Sequence, residues 1–131
     1  MVIDTSAILA ILFAEPEAPR MVAAIAAADV TVVAAPTLVE AAAVLYARKG
    51  AAGEVALDAL LQRLRIDVVA MTPDAAAHAR AAYQRFGKGV GSPGVLNYGD
   101  CLAYGVASAS GDVLLFKGND FTQTDVTAAS Y

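Results

Sequence analysis

The 131-residue chain has one cysteine, one histidine and little charge, and each shortage excludes a class of protein. Cys101 cannot form a disulfide within the chain, which favours a reducing compartment and hence the cytoplasm. No run of about 18 residues is free of both charge and proline, so we expect no membrane-spanning helix. The first basic residue is Arg20, so we also expect no secretory signal peptide.

The composition is that of a folded domain with an acidic surface. Apolar residues make up 58% of the chain and charged residues 17%, which excludes intrinsic disorder. At this length we expect one domain, spanning residues 1–131. A protein that binds nucleic acid through its overall electrostatic field is positively charged, whereas this chain has a formal net charge of −4. Any nucleic-acid function must therefore rest on a local site.

Segments typical of strands and of helices alternate along the chain. The apolar periodicity and the capping residues predict strands at 2–3, 29–35, 65–71 and 112–118, helices over 6–14, 18–28, 36–49, 53–64, 73–86 and 98–108, and a loop over 87–97. Strands that are separated by helices imply parallel pairing. We therefore predict an α/β fold, a three-layer α/β/α sandwich with a mostly parallel central sheet.

Four acidic residues occupy the places where such a fold binds its ligands, just beyond the carboxyl ends of the strands. Asp4 follows the first strand, and Glu40 lies in the first turn of the helix after the second strand. Asp100 lies in the first turn of the helix that begins at Tyr98, and Asp120 follows the last strand. We therefore expect these four carboxylates to meet at one edge of the sheet.

Each of these acids also has a purely local interpretation. Asp4 is suited to cap the first helix, and Thr37 and Glu40 match a capping box. Asp100 is suited to stabilise the start of its helix through the helix dipole, and Asp120 to form a turn. Only the four acids taken together therefore indicate a functional site.

Convergence of the four carboxylates would be costly without a cation. Two carboxylates about 5 Å apart repel each other by roughly 3 kcal/mol at an effective dielectric constant near 20. Carboxylate oxygens select Mg²⁺ or Mn²⁺, and a single cysteine and a single histidine exclude a Cys/His zinc site. His78 stands alone in a helix and offers no acid–base pair. The sequence therefore favours a metal site suited to phosphodiester chemistry, in which the ion activates the attacking water.

Four segments of the chain together resemble the PIN-domain nucleases, specifically the VapC-type toxins of toxin–antitoxin pairs. They are "VIDTSAI" (2–8), "PTLVEAAAV" (36–44), "NYGDCLAYGVA" (97–107) and "LLFKGNDFTQTDV" (114–126). The resemblance covers nearly the whole chain and implies a PIN-like fold. It further implies a Mg²⁺- or Mn²⁺-dependent endoribonuclease that cuts RNA until a VapB-like antitoxin covers its site.

The resemblance assigns a role to each of the four acids. It implies that Asp4 and Asp100 bind the metal directly and that Glu40 orients or deprotonates the attacking water. Asp120 would help to hold a second ion or an outer water. Ser6 matches the hydroxyl residue that the family has beside the first aspartate, and its hydroxyl would form a hydrogen bond with Asp120, Asp4 or a water. Local capping of the first helix explains a serine at this position equally well.

Other positions support the site less directly. Asn97 would cap the helix of Asp100 or touch the substrate. Many relatives carry Thr/Ser-Arg-Asn before the last acid, whereas this chain has Lys117 there, which either replaces a phosphate contact or ends the strand. Asp125 is either a fifth acid of the pocket or the cap of a helix or turn.

Positive charge near the pocket would have to hold the RNA, because phosphate contacts carry most non-specific affinity. Residues 80–99 contain Arg80, Arg85 and Lys88 and no acid. We interpret this stretch as a mobile basic lip beside the pocket, with a solvated helix end and loop as the alternative. Tyr98 would stack on an unpaired base or pack in the core.

The alanine-rich helices have more apolar surface than one thin sheet buries. We therefore expect a homodimer, and an antitoxin that adds a helix to an apolar groove.

Two alternatives to a nuclease are a catalytically inactive PIN-like binding module and a phospho-receiver domain. The receiver needs paired acids after the first strand and an aspartate after the central strand, and this chain lacks both.

Overall fold

The computed structural model describes residues 1–131 and contains a four-stranded parallel sheet with the strand order β3-β2-β1-β4. The strands are β1 (Val2–Ile3), β2 (Thr31–Ala34), β3 (Ile66–Val69) and β4 (Leu114–Leu115). The helices are α1 (Thr5–Leu12), α2 (Ala18–Ala27), α3 (Ala35–Lys49), α4 (Ala51–Leu64), α5 (Pro73–Phe86) and α6 (Tyr98–Ser110), followed by a 3₁₀ helix at Asp120–Gln123. None of the helices combines the length and the apolar character needed to cross a membrane.

Successive residues of the inner strands face opposite sides of the sheet, as strand geometry requires. Val2 of β1 belongs to one hydrophobic core, and Ile3 belongs to the other. Leu114 and Leu115 of β4 divide in the same way. Helices α5 and α6 close the first core, and α1 to α4 close the second. The predicted three-layer α/β/α sandwich with a parallel sheet is confirmed.

Helix α5 begins and ends where the sequence predicts, because its end signals are local. The Thr72 Oγ1 atom accepts a hydrogen bond from the Ala75 N–H at 3.1 Å. Pro73 follows at the first helical position, where its missing N–H costs nothing, and the helix ends at Phe86. Gly50 ends α3 as predicted, with a φ of 60° that favours glycine.

Strand β1 has the predicted bounds, whereas the other three strands are shorter than predicted, and an unpredicted segment joins the sheet. The predicted strand at 112–118 pairs with β1 only at Leu114 and Leu115, because β1 has two residues. The Leu114 N–H then donates to the Thr127 carbonyl at 2.8 Å, and the Ala129 N–H donates to the Leu114 carbonyl at 2.9 Å. The sequence analysis missed this pairing, since residues 127–129 show no alternation of apolar and polar side chains.

Helices α5 and α6 are in close contact at Gly105. A Cβ atom on Gly105 would lie 2.4 Å from the Ala75 carbonyl oxygen and 2.8 Å from the Ala79 Cβ atom. Neither atom can rotate away, because one belongs to the backbone of α5 and the other is attached directly to it. This contact fixes α6, and with it the first turn of α6 at the carboxyl edge of the sheet.

We expect Gly105→Ala to lower the free energy of unfolding by about 1–3 kcal/mol, since the added methyl forces α5 and α6 apart. Urea denaturation followed by circular dichroism measures the change. Gly99→Ala is the matched control on the same helix, because there the crowded neighbour is only the flexible end of the Glu40 side chain. An equal loss in both variants would contradict the explanation.

Candidate active site

The acidic residues singled out from the sequence lie at the carboxyl edge of the parallel sheet. Asp4 follows β1 directly, and Glu40 lies in the second turn of α3, which follows β2, rather than in the first turn as predicted, because α3 begins at Ala35. Asp100 lies in the first turn of α6, and Asp120 opens the 3₁₀ helix after β4. Asp4 is almost fully buried, Glu40 and Asp100 are partly buried, and Asp120 is exposed. The edge therefore has a buried acidic centre and an acidic rim.

Asp4 is both the N-cap of α1 and the most buried of the four acids, with 3% of its surface exposed. Its Oδ2 atom accepts two hydrogen bonds from Ser6, one from the backbone N–H at 2.9 Å and one from the hydroxyl at 2.5 Å. The local capping interpretation of Asp4 is thus correct. Both bonds use the same carboxylate oxygen, so Oδ1 has no hydrogen-bond partner within the chain.

Ser6 connects the start of the chain to the segment that follows β4. Its Oγ atom accepts a hydrogen bond from the Lys117 backbone N–H at 2.9 Å. The hydroxyl hydrogen is then directed at Asp4, which is the partner the structure selects from the three that the sequence left open. Ser6 therefore fixes the orientation of the Asp4 carboxylate.

The capping box that was the local alternative for Thr37 and Glu40 does not form. Helix α3 begins at Ala35, so Thr37 already lies within the helix, where its hydroxyl is buried without a hydrogen-bond partner. The Glu40 Oε2 atom instead accepts a hydrogen bond from the Thr5 hydroxyl at 2.7 Å. Glu40 is thereby tied to the residue next to Asp4, and sequence reasoning missed Thr5 although it stands inside the first motif.

Gly99 leaves space for the carboxylate of Glu40. A Cβ atom on Gly99 would lie 2.4 Å from Glu40 Oε1 and 2.6 Å from Oε2. Gly99 is helical, and it is buried next to Asp100. The position therefore requires a residue without a side chain for reasons of space, which no sequence pattern indicates.

Asp100 takes part in a complete capping box with Asn97. The Asp100 N–H donates to Asn97 Oδ1 at 2.9 Å, and the Asn97 N–H donates to Asp100 Oδ2 at 2.7 Å. The capping role predicted for Asn97 is confirmed. Asp100 Oδ1 has no hydrogen-bond partner within the chain, so this residue, like Asp4, keeps one carboxylate oxygen available.

The acids influence one another electrostatically. Burial raises the pKa of the Asp4 carboxyl to about 6, and the negative charges of Asp100 and Glu40 add to the rise, while the bonds from Ser6 oppose it. Burial likewise raises the pKa of Asp100, with contributions from the charges of Asp120 and Glu40, while the Asn97 N–H and Lys88 lower it. Asp4, Glu40 and Asp100 form the centre of the cluster, and Asp120 acts on it from the rim.

The cations proposed to hold RNA are largely paired with acids of the chain. The Arg85 guanidinium lies 2.7 Å from Asp125, and the Tyr104 hydroxyl donates to the same carboxylate at 2.5 Å. These two hydrogen bonds hold the pKa of Asp125 below its usual range, and the bond from Tyr104 has the larger effect. Asp125 is accordingly a partner of Arg85 rather than a member of the acidic cluster.

Lys88 and Lys117 are also in ion pairs. The Lys88 Nζ atom lies 3.6 Å from Asp120, which places Lys88 at the rim. The Lys117 ammonium pairs with Glu15 and lies 3.5 Å from Glu17, so its charge is directed toward the segment between α1 and α2. Lys117 contributes its backbone N–H to the site through Ser6, a role that its side-chain type does not reveal.

The donor set suits a hard divalent cation. No group of three or more Asp, Glu, His or Cys side chains in the structure could hold a metal ion between them. Mg²⁺, however, is usually held by one or two carboxylates and completes its shell with waters and substrate phosphates. Asp4 and Asp100 each offer a free carboxylate oxygen, and neither they nor Glu40 form an ion pair. These residues fit such an ion.

Comparison with known proteins identifies the family of the chain. The PIN domain family model matches residues 1–126. Over 130 residues the chain is 47% identical to Ribonuclease VapC30 of Mycobacterium tuberculosis, a match that covers 99% of this chain and 98% of that protein.

Two solved structures share the fold. One is VapC20 of Mycobacterium tuberculosis, described as a Sarcin-Ricin loop cleaving toxin, with a TM-score of 0.73, 19% identity, and coverage of 96% of this chain and 95% of that one. The other is VapBC2 from Rickettsia felis, bound to a DNA fragment from its promoter, with a TM-score of 0.75, 14% identity, and coverage of 97% and 94%. With the family match over residues 1–126 and the near-complete alignment to a VapC ribonuclease, the chain belongs to the PIN-domain family and, within it, to the VapC ribonucleases.

Proposed function

We propose that the chain is a metal-dependent endoribonuclease, the toxin of a VapBC-type pair, that hydrolyses RNA phosphodiester bonds in its acidic pocket. One observation carries the proposal. The buried carboxylate of Asp4 lies beside those of Glu40 and Asp100, and no lysine or arginine pairs with any of the three. Such charge is unfavourable unless it is protonated or balanced by a cation. The names of the VapC relatives support RNA as the substrate.

Asp4 and Asp100 would hold the cation, Mg²⁺ or Mn²⁺, through the carboxylate oxygens that their hydrogen bonds leave free. The bound ion would neutralise the phosphodiester and lower the pKa of the attacking water. Asp120, on the rim, would support a second ion or an outer water. Lys88 pairs with Asp120 in the structure and would have to release it to contact a phosphate.

Glu40 is the proposed proton acceptor. The Thr5 hydroxyl occupies Glu40 Oε2, so Oε1 is left to orient the attacking water and accept its proton. The water oxygen then bonds to phosphorus, the bond from phosphorus to the leaving nucleotide oxygen breaks, and that oxygen takes a proton from solvent. Ser6 keeps Asp4 in place throughout by holding its other oxygen.

A VapB-like antitoxin and a second copy of the chain are the proposed protein partners. Val39 and Tyr46 are exposed on α3 and line one apolar groove together with alanines of that helix, and contiguous exposed apolar surface is typical of an interface. The structure of VapBC2 from Rickettsia felis supports an antitoxin as partner for this family. We propose that the toxin and its antitoxin act in the cytoplasm. Sedimentation of the purified chain, with and without the antitoxin, tests whether the chain forms a homodimer and binds the antitoxin.

We expect Asp100→Asn to lower cleavage of pooled cellular RNA in Mg²⁺ or Mn²⁺ by more than about 100-fold, because the variant loses a metal-binding charge. An asparagine oxygen can still accept the hydrogen bond from the Asn97 N–H, so the fold should survive. Gel analysis of the RNA, beside an EDTA control, measures the effect. Cleavage by Asp100→Asn at the wild-type rate would contradict the proposal.

We expect Gly99→Ala to lower cleavage up to about 100-fold at unchanged stability, since the new methyl displaces the Glu40 carboxylate. Combining it with Glu40→Asp, which shortens the acid, should recover part of the lost activity. Cleavage rates and urea denaturation are compared for both variants, with Gly105→Ala as the reciprocal control. A fully active Gly99→Ala variant would exclude this role for Gly99.

Stability without metal should depend on pH through Asp4. Its pKa is raised from 3.8 to about 6 in the folded state, so the stabilising proton is fully bound below about pH 4 and is lost as the pH rises through 6. In EDTA the free energy of unfolding should fall by about 3 kcal/mol across this interval. Urea denaturation from pH 4 to 8 measures it, and Asp4→Asn should remove this component. Asp67→Asn, at an exposed position of β3, should follow wild type, and parallel profiles for all three proteins would refute the explanation.

A further inference from the structure

A cavity of about 500 Å³ lies between α5 and α6, beyond the end of β3. This is within the size range of small-ligand sites in proteins. Its walls combine two tyrosines and an arginine with apolar side chains that none of the proposed catalytic steps uses. The main lining residues are Met71, Arg80, Tyr83, Tyr98, Cys101 and Leu102.

Tyr98 is the feature of this cavity that calls for a ligand. It is the first residue of α6, two positions before Asp100, and 76% of its surface is exposed. The aromatic pairs of the structure are Phe86 with Tyr104 and Phe116 with Phe121, so Tyr98 has no aromatic partner. Its ring therefore lies at the start of the helix that carries Asp100 and packs against no other ring.

Arg80 gives the cavity a positive charge. Of the three cations between positions 80 and 88, Arg85 and Lys88 pair with acids, whereas Arg80 forms no ion pair. No Asp or Glu lines the cavity, although the chain has 13 acidic residues. An aromatic cavity with an unpaired arginine is thus lined in part by α6, the helix whose first turn contributes Asp100 to the acidic cluster.

We propose that this cavity binds an unpaired base of the RNA substrate, next to the phosphodiester that is cut, and so helps to set which RNA is cleaved. Tyr98 stacks on the base, Tyr83 adds a second aromatic wall residue, and Arg80 contacts a flanking phosphate. Sequence-specific proteins recognise RNA largely through single-stranded bases that stack on aromatic and guanidinium groups. The inference rests on the proposed ribonuclease function and adds a substrate subsite to it.

The absence of tryptophan from the chain makes the proposal directly measurable. In Tyr98→Trp the introduced indole is the only one, and stacking on a base should quench its fluorescence. Single-stranded hexauridylate and hexaadenylate are titrated in EDTA, where no cleavage occurs. Tyr46→Trp is the matched control, since Tyr46 is 57% exposed on α3 and lies outside the cavity.

We expect saturable quenching of the Tyr98→Trp indole and none of the Tyr46→Trp indole. Binding of the same oligonucleotides by Tyr98→Ala, followed by anisotropy of a labelled strand, should weaken about tenfold. Arg80→Gln should reduce the slope of log affinity against log salt by about 0.7, whereas Arg63→Gln, which removes another arginine that forms no ion pair, should leave the slope unchanged. In cleavage assays Tyr98→Ala should raise KM more than it lowers kcat and should relax the preferred cut sites.

The failures are distinguishable. If wild type cleaves RNA but the oligonucleotides leave the Tyr98→Trp indole unchanged, or quench both indoles equally, the base subsite is wrong and the ribonuclease proposal stands. If its emission instead changes with protein concentration alone, a second copy of the chain covers the cavity, which also overturns the subsite. If wild type cleaves no RNA in either metal and the indole is silent, both proposals fall.

Discussion

Asp4 occupies a position where a carboxylate is hard to keep charged, since it is buried at the end of a central strand and no lysine or arginine neutralises it. Removing such a charge from water costs several kcal/mol unless hydrogen bonds or a counter-charge compensate. Ser6 supplies both of its hydrogen bonds, and the segment that follows β4 holds Ser6 through the Lys117 backbone. Protonation, which the raised pKa of Asp4 favours, or the cation that we propose would supply the remaining compensation.

Hydrogen bonding divides each central carboxylate into a fixed oxygen and a free one. Ser6 holds one oxygen of Asp4, Thr5 holds one oxygen of Glu40, and the Asn97 N–H holds one oxygen of Asp100. The other oxygen of each carboxylate is then held in a fixed orientation and remains available to a ligand. Capping a helix and binding a ligand are therefore compatible roles for the same side chain, because an ionised carboxylate has acceptor sites on both oxygens.

The sequence predicted features that depend on neighbours in the chain and failed on those that depend on distant contacts. Helix α5 and the Asn97 cap were predicted correctly, since their signals lie within three residues. The capping box at Glu40 was wrong, because its partner is Thr5, 35 positions away. The pairing of Arg85 with Asp125, 40 positions away, likewise depends on tertiary packing. The four acids were found early because a parallel sheet gathers the residues that follow its strands.

The hydrogen bond from the Lys117 N–H to Ser6 joins residues 111 positions apart. Chains are synthesised from the N-terminus, and β1 and α1 emerge long before the strand that completes their environment. Until β4 pairs with β1, the Ser6 hydroxyl has no donor to fix it, and Asp4 remains open to water. A nascent chain therefore carries its first acidic motif without the hydrogen bond that orients it until synthesis is almost complete.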